Sequence, residues 1–223
     1  MRGILADWIL FVIAAYLLGS VPFAYILAKA HGIDLRTIGS GNIGATNLSR
    51  VLGRRWGYVC FFLDMLKGLV PMFAARALLV SSWQGHGMPQ GQILAMWLVV
   101  GAAAVVGHVL PIYLGFRGGK GVATSFGVAL GLWPYYTICA IITLCIWVAV
   151  LLLWRYVSVA SIVAAVSFPV ILLAAIAILP GWEFRGLWPI EAVAAVIAAV
   201  IVILHRANIR RLMSGTEHRI GAK

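Results

Sequence analysis

Apolar stretches of membrane-spanning length recur along this chain, separated by short polar segments, and that alternation leaves few folds open. A helix needs about 20 mostly apolar residues to cross a hydrocarbon core of about 30 Å. Residues 4–29, 56–80, 92–114, 135–154, 157–179 and 189–206 meet or approach that length. A shorter apolar run, 122–133, ends at Gly131-Leu132-Trp133-Pro134. Pro134 stops a helix, and Trp133 suits an interface. At about a dozen residues this run is too short to span upright, so it is expected to be half-buried or re-entrant. The expected fold is therefore an all-α integral membrane protein: a seven-transmembrane-helix bundle with a short or re-entrant fourth helix, one domain over residues 1–223. Only 10% of the residues are charged and 63% are hydrophobic, whereas a soluble domain carries about 25% charged residues. Pro22 predicts a kink near the end of the first helix. Ala28-Lys29-Ala30 looks like a cleavage site, but the preceding apolar run exceeds the roughly 7–15 residues of a signal-peptide core. The first segment is expected to be a retained helix.

The charges orient the bundle. The segments 31–55, 115–121 and 155–156, with the tail 207–223, carry Arg36, Arg50, Arg54, Arg55, Arg117, Lys120, Arg155, Arg210, Arg211, Arg219 and Lys223. The opposite side carries Arg2 and Arg185, with Arg76 just inside a helix end. Loops rich in Lys and Arg stay cytoplasmic, so the N-terminus is expected outside and the C-terminus inside. The net charge of +11 would suggest nucleic acid in a soluble protein. Here the cations sit at segment ends, where anionic lipid headgroups and topology account for them, and no nucleic-acid partner is expected. Cys60, Cys139 and Cys145 all lie in apolar segments without CxxC spacing, so they read as core or lipid-facing residues.

On the expected cytoplasmic side, residues 39–50 read GSGNIGATNLSR. Gly39, Gly41 and Gly44 let the backbone turn sharply and bring its N–H groups to one point. Ser40, Asn42, Thr46 and Asn47 add neutral donors, and Arg50 adds a planar fork suited to phosphate. The pattern points to a phosphate or carboxylate site; the bland alternative is a flexible polar loop. A second glycine-rich turn, Gly118-Gly119-Lys120-Gly121, is followed by Thr124 and Ser125. It fails as a nucleotide P-loop, because Leu114 stands where the first glycine belongs and Gly121 replaces the magnesium-binding Ser or Thr. Glycines around one lysine at a helix start still make an oxyanion or phosphate cradle, although a tight basic inside loop has the same composition. His108 precedes this turn and reads either as a base or as a helix-capping hydrogen bonder. Ser158 reads as a helix cap or a site residue. His205 and Asn208 share a helical face. Arg210 and Arg211 read as headgroup anchors or site cations. Asp64 and Lys67, three apart in a spanning segment, are expected to neutralise each other toward the bundle interior, because intramembrane charges are costly; a role in positioning the loops is the alternative.

No H-x-x-x-x-D box, G-x-S-x-G elbow, HExxH motif or Cys/His cluster occurs. Donors and cations outnumber carboxylates, which favours binding two anions and stabilising a transition state electrostatically over a Ser-His-Asp mechanism. A transporter of a small phosphorylated solute is the rival class. It needs polar groups at the midplane, and only Asp64 and Lys67 are obvious there.

Taken together, Gly19-Ser20-Val21-Pro22, GIDLRTIGSGNIGATNLSR (32–50), GHVLPIYLGFRGGKGVAT (107–124), RYVS (155–158) and the pair His205 and Asn208 closely resemble the bacterial acyl-phosphate:glycerol-3-phosphate acyltransferases over nearly the whole length. The resemblance implies an enzyme of the bacterial cytoplasmic (inner) membrane, with its active site on the cytoplasmic face. It implies transfer of a fatty acyl group from acyl phosphate to the 1-hydroxyl of sn-glycerol 3-phosphate, giving lysophosphatidic acid and inorganic phosphate, the first step of phospholipid synthesis. Its partners would be those two substrates and membrane lipids, with no cofactor and no metal. Carried over by motif, Ser40, Arg50, Lys120, Ser158, His205 and Asn208 line the site. Arg50 and Lys120 would bind phosphate, the glycines of 39–44 and 118–121 would donate to acyl phosphate, and His205 and Asn208 would position glycerol phosphate.

Overall fold

A computed structural model describes residues 2–221; Lys223, counted above among the tail cations, lies outside them. The chain divides into two compact units, residues 1–131 and 132–223. Every regular element among the described residues is helical. Among the described residues six helical segments are long and apolar enough to cross a membrane, with the shorter apolar Val122–Gly131 in addition, and the protein is an integral membrane protein.

The first unit holds α1 (Arg2–Ser20), α2 (Phe23–Ala30), α3 (Ala45–Leu52), α4 (Arg54–Ala75), α5 (Ser81–Gly85), α6 (Gln90–Val109) and α7 (Val122–Gly131). The predicted kink is a full break: α1 ends at Ser20 and α2 resumes at Phe23, with Val21 and Pro22 between. The second segment runs further than expected, because a π-helical stretch, Arg76–Val80, links α4 to α5. Lipid supplies no hydrophobic drive between helices, so close packing rests on small residues. At α1 and α6, a Cβ on Gly19 would strike the Ala104 carbonyl and one on Gly107 the Tyr16 carbonyl. At α4 and α7, Gly68 lies against the Thr124 backbone and Gly127 against that of Met65. The ten-residue α7 rises only about 15 Å. Thr124, Gly127, Val128, Ala129 and Gly131 are buried, as a helix too short to span requires.

The segment 31–55, expected to be loop, contains a helix. α3 forms because Leu48 is fully buried in a cluster with Ala24, Ala28, Leu35 and Cys60. Its polar residues hide this tertiary anchor from any count of apolar periodicity.

The second unit holds α8 (Tyr135–Trp154), α9 (Val157–Ile178), α10 (Phe184–Leu204) and α11 (Arg206–Met213). Helix α8 has the predicted bounds; α10 starts five residues earlier than expected, with Pro189 inside it. α9 meets α8 through Trp147 Nε1, which donates to Ser161 Oγ at 3.3 Å, and through the edge-to-face pair Tyr136–Phe168. The Tyr136 hydroxyl donates to the Ile190 carbonyl of α10. The expected polar tail is also partly helical, as α11. Cys60 and Cys139 are buried and Cys145 is exposed, the core and lipid-facing environments expected. Leu152 and Ile178 are 73% and 76% exposed, a burden in water and none in hydrocarbon.

Candidate functional site

The first glycine-rich loop is shaped by its own asparagine. Asn47, 2% exposed, points back from α3. Its Oδ1 accepts the Ser40 N–H at 2.9 Å, and its Nδ2 donates to the Leu35 and Ile38 carbonyls at 3.3 and 3.1 Å. Gly39 and Gly41 have φ of +64° and +67°, where a side chain is strained. A Cβ on Gly39 would also collide with Asn47 Oδ1. Ser40, Gly39, Gly41 and Thr46 are exposed, Asn42 and Gly44 half-buried, and Gly44 precedes the first turn of α3. Arg50, half-buried, lies in the last turn of α3. On the approach to this loop, Asp34 accepts from the Arg36 backbone and guanidinium at 2.7–3.1 Å. The Arg36 hydrogen bonds hold the Asp34 carboxyl well below the usual carboxylate range and push the Arg36 guanidinium up.

The second turn is shaped by the helix before it. The Gly119 N–H donates to the His108 carbonyl at 3.0 Å. A Cβ on Gly119 would overlap His108 Nε2, and one on Gly118 would overlap the carbonyls of His108 and Val109. Gly119 and Gly121 are buried and Lys120 is half-buried. Gly121 has φ +81° and its carbonyl accepts the Ser125 N–H at 2.7 Å, which starts α7. Thr124 is fully buried, with Oγ1 facing no hydrogen-bond partner. It lies behind the turn, on the α4 side.

A crevice beside the first loop is lined by Ser20 and Pro22 at the α1–α2 break, Ile43 of that loop, Asp64 and Lys67 of α4, and His108 and Pro111 ahead of the second turn. Asp64 Oδ1 lies 2.9 Å from Lys67 Nζ, the mutual neutralisation expected of the pair.

In the second unit, Ser158 and Asn208 converge on one carboxylate that sequence reasoning missed. Glu217 Oε1 accepts from Ser158 Oγ at 2.9 Å and from Asn208 Nδ2 at 2.7 Å, while Oε2 accepts from Arg211 Nε at 2.7 Å. Burial opposes ionisation of Glu217, but the hydrogen bonds from Asn208, Arg211 and Ser158 outweigh it and hold the carboxyl below its ordinary value. Ser158 makes no capping bond; Tyr156 occupies the cap position of α9. Arg211 is an ion-pair partner rather than a simple headgroup anchor. A lone acid inside the basic run from Arg206 to Arg219 was the available signal, because a carboxylate there meets cations on every side. His205 is 3% exposed, and its Nδ1 lies 2.7 Å from the Ile201 carbonyl. A carbonyl only accepts, so Nδ1 carries the proton and fixes the ring's tautomer when neutral. The two cation-bearing turns of the first unit suit the binding of phosphorylated molecules, and the second unit holds a polar cluster of its own. Among the described residues no group of three or more His, Cys, Asp or Glu is placed to hold a metal.

The sequence profile of a family described as "Glycerol-3-phosphate acyltransferase" matches residues 9–215. A glycerol-3-phosphate acyltransferase of Geotalea daltonii is 46% identical, over 94% of this chain and 96% of that protein. One of Aquifex aeolicus is 42% identical, over 93% and 96%. A crystal structure of an integral membrane glycerol 3-phosphate acyltransferase in its glycerol 3-phosphate form is 40% identical, with a TM-score of 0.80 and 96% of each chain covered. Its lysophosphatidic acid form gives 0.77 at 39% identity.

Proposed function

Because the chain belongs to the glycerol-3-phosphate acyltransferase family, we propose that it transfers a fatty acyl group from an acyl phosphate to the 1-hydroxyl of glycerol 3-phosphate. The observation that carries this reading is the pair of glycine-rich basic turns set about one crevice, which is lined by Ile43 of the first loop and by His108, the residue on which Gly119 of the second turn rests. Arg50 and Lys120 bind phosphate, aided by backbone N–H groups of residues 39–44 and 118–121. Ser40, Asn42 and Thr46 add donors from the first loop, while Asn47 holds that loop's shape. Ser158, His205 and Asn208 position glycerol 3-phosphate. All of residues 1–223 act as one acyltransferase domain.

An acyl phosphate is a mixed anhydride and already activated, so no protein nucleophile is required. The hydroxyl oxygen attacks the acyl carbon, the carbon–oxygen bond to phosphate breaks, and the leaving phosphate takes the hydroxyl proton. Lysophosphatidic acid and inorganic phosphate result. The engagement of the buried carboxylate in each unit supports this substrate-assisted route. Asp64 is paired with Lys67, and both Glu217 oxygens accept from donors. The acyl chain lies among apolar helices, open to the bilayer. The arginine and lysine distribution supports an N-terminus outside, a site on the cytoplasmic face, and residence in the bacterial inner membrane.

Protein purified in detergent, given palmitoyl phosphate and glycerol 3-phosphate, is expected to form lysophosphatidic acid with equimolar phosphate. Lys120→Ala should lower kcat/KM by about 10²–10³-fold, the effect of removing one preorganised charge-stabilising group. Uptake of glycerol 3-phosphate into proteoliposomes without acylation would refute the assignment.

A further inference from the structure

We infer that His108 is a positioning residue: held against the buried Asp64–Lys67 pair, it sets the shape of the Gly118–Gly121 turn and acts through Gly119 rather than by touching substrate. This rests on the reading of that turn as a phosphate cradle.

His108 is 8% exposed and engages the turn twice. Its carbonyl accepts the Gly119 N–H, and its ring fills the space a Cβ on Gly119 would need. The turn is therefore laid over an imidazole, and glycine at 119 is what lets the backbone approach it. The ring has a polar neighbour of its own. Nδ1 is buried without a hydrogen bond and lies 3.6 Å from Asp64 Oδ1, beyond hydrogen-bonding distance. Asp64 Oδ1 is 2.9 Å from Lys67 Nζ, which also donates to the Val21 carbonyl at 3.0 Å. The Cys60 thiol donates to Asp64 Oδ2 at 3.5 Å. The cluster thus links α4 to the α1–α2 break and to the end of α6. Ile43 of the first loop faces the same crevice. Burying charges in a spanning bundle costs several kcal/mol per ion before pairing repays it, and apolar side chains would fill the space without that cost. The position of the ions, directly behind one cradle and beside the other, assigns them to holding the two in place.

The test is a double-mutant cycle on His108→Ala and Gly119→Ala in the full-length protein. It reads kcat and KM for glycerol 3-phosphate and palmitoyl phosphate, detergent Tm, and amide exchange over residues 118–121. His108→Ala should raise KM for at least one substrate about tenfold and speed turn-amide exchange about tenfold, with kcat changing less than threefold. Gly119→Ala alone should raise the same KM about tenfold. In the His108→Ala background the added methyl occupies the vacated space, and its further effect should fall to about threefold or less, a non-additivity expected only of residues in contact. A purely structural role would lower Tm and kcat through loss of active protein and leave KM and exchange unchanged; that result overturns the inference, as does an equal Gly119→Ala effect in both backgrounds. If Gly119→Ala does not fold, His108→Gln decides. It should keep KM within about threefold of wild type, and a loss equal to that of His108→Ala overturns the inference. A wild type that makes no lysophosphatidic acid defeats the functional reading. The exchange arm still judges the positioning claim in that event, and unchanged exchange in His108→Ala defeats it.

Discussion

Two buried carboxylates belong to very different regions. Asp64 lies within the spanning helix α4 and Glu217 in the tail after α11. Asp64 faces a full positive charge three residues along its own helix. Glu217 is met by donors 59, 9 and 6 positions away, two of them neutral. Deep in an apolar bundle, an isolated ion costs so much that a whole opposite charge must sit beside it. At the tail, neutral donors and one guanidinium suffice, because each hydrogen bond to a charged group contributes about 1.5–3 kcal/mol. Removing Asp64 alone therefore strands a buried cation and strikes the bundle's stability first, whereas removing Glu217 strikes the arrangement of the residues that gather on it.

The sharpest way to break this contrast is Asp64→Ala, which leaves buried Lys67 uncompensated. It should destabilise the protein by about 3–5 kcal/mol, read as a large drop in detergent Tm. Replacing both members, Asp64→Asn with Lys67→Met, should recover most of that loss; a double mutant as unstable as the single would show that the pair is not the unit. Glu217→Ala should affect Tm less and activity more. Ser158, Asn208 and Arg211 lose their common acceptor, and misplaced binding groups cost about 10²-fold in turnover. Equal damage to Tm from the two alanine variants would erase the distinction.

Acid provides a gentler probe of the tail. The folded Glu217 carboxyl titrates below its ordinary value, so its contribution is fully present above about pH 4.3, the unfolded glutamate pKa. That contribution is lost as pH falls through the lower, folded value. Exchange of the Ile220 amide, which donates to the Arg155 carbonyl at 2.8 Å, should quicken over that window after correction for its intrinsic pH dependence. Glu217→Gln should flatten the response; persistence of it in that variant would assign the titration to another group. The smallest effect belongs to Asp34→Asn. The Asp34–Arg36–Lys29 group is solvated, and exposed ion pairs contribute little, so Tm should not move measurably. A clear loss there would mean that the first loop depends on its approach as well as on Asn47.

Much of the fold was legible because lipid leaves the backbone few options. Tyr135–Trp154 could be bounded from the apolar run between Pro134 and Arg155, and the Pro22 kink and the short α7 followed from equally local rules. The Asp64–Lys67 pair was readable from spacing alone. The helix α3 was not, since its residues Thr46, Asn47, Ser49 and Arg50 look like loop until Leu48 is seen to be buried. Ser158 read as a cap or a site residue, capping being the local use of a serine, and the partner that decides against the cap is 59 residues away. The glycines of both loops were legible as turns, but what each turn rests on, Asn47 for one and His108 for the other, was not.

The sequence by itself determined which segments enter the membrane and in what order, because in hydrocarbon every backbone must satisfy its own hydrogen bonds within a helix, and only long apolar runs can do so. Tertiary structure alone decided that the His108 ring lies beneath Gly119 and that Ser158, Asn208 and Arg211 share one carboxylate. Those contacts join residues on separate elements, and only packing brings such residues within reach of each other.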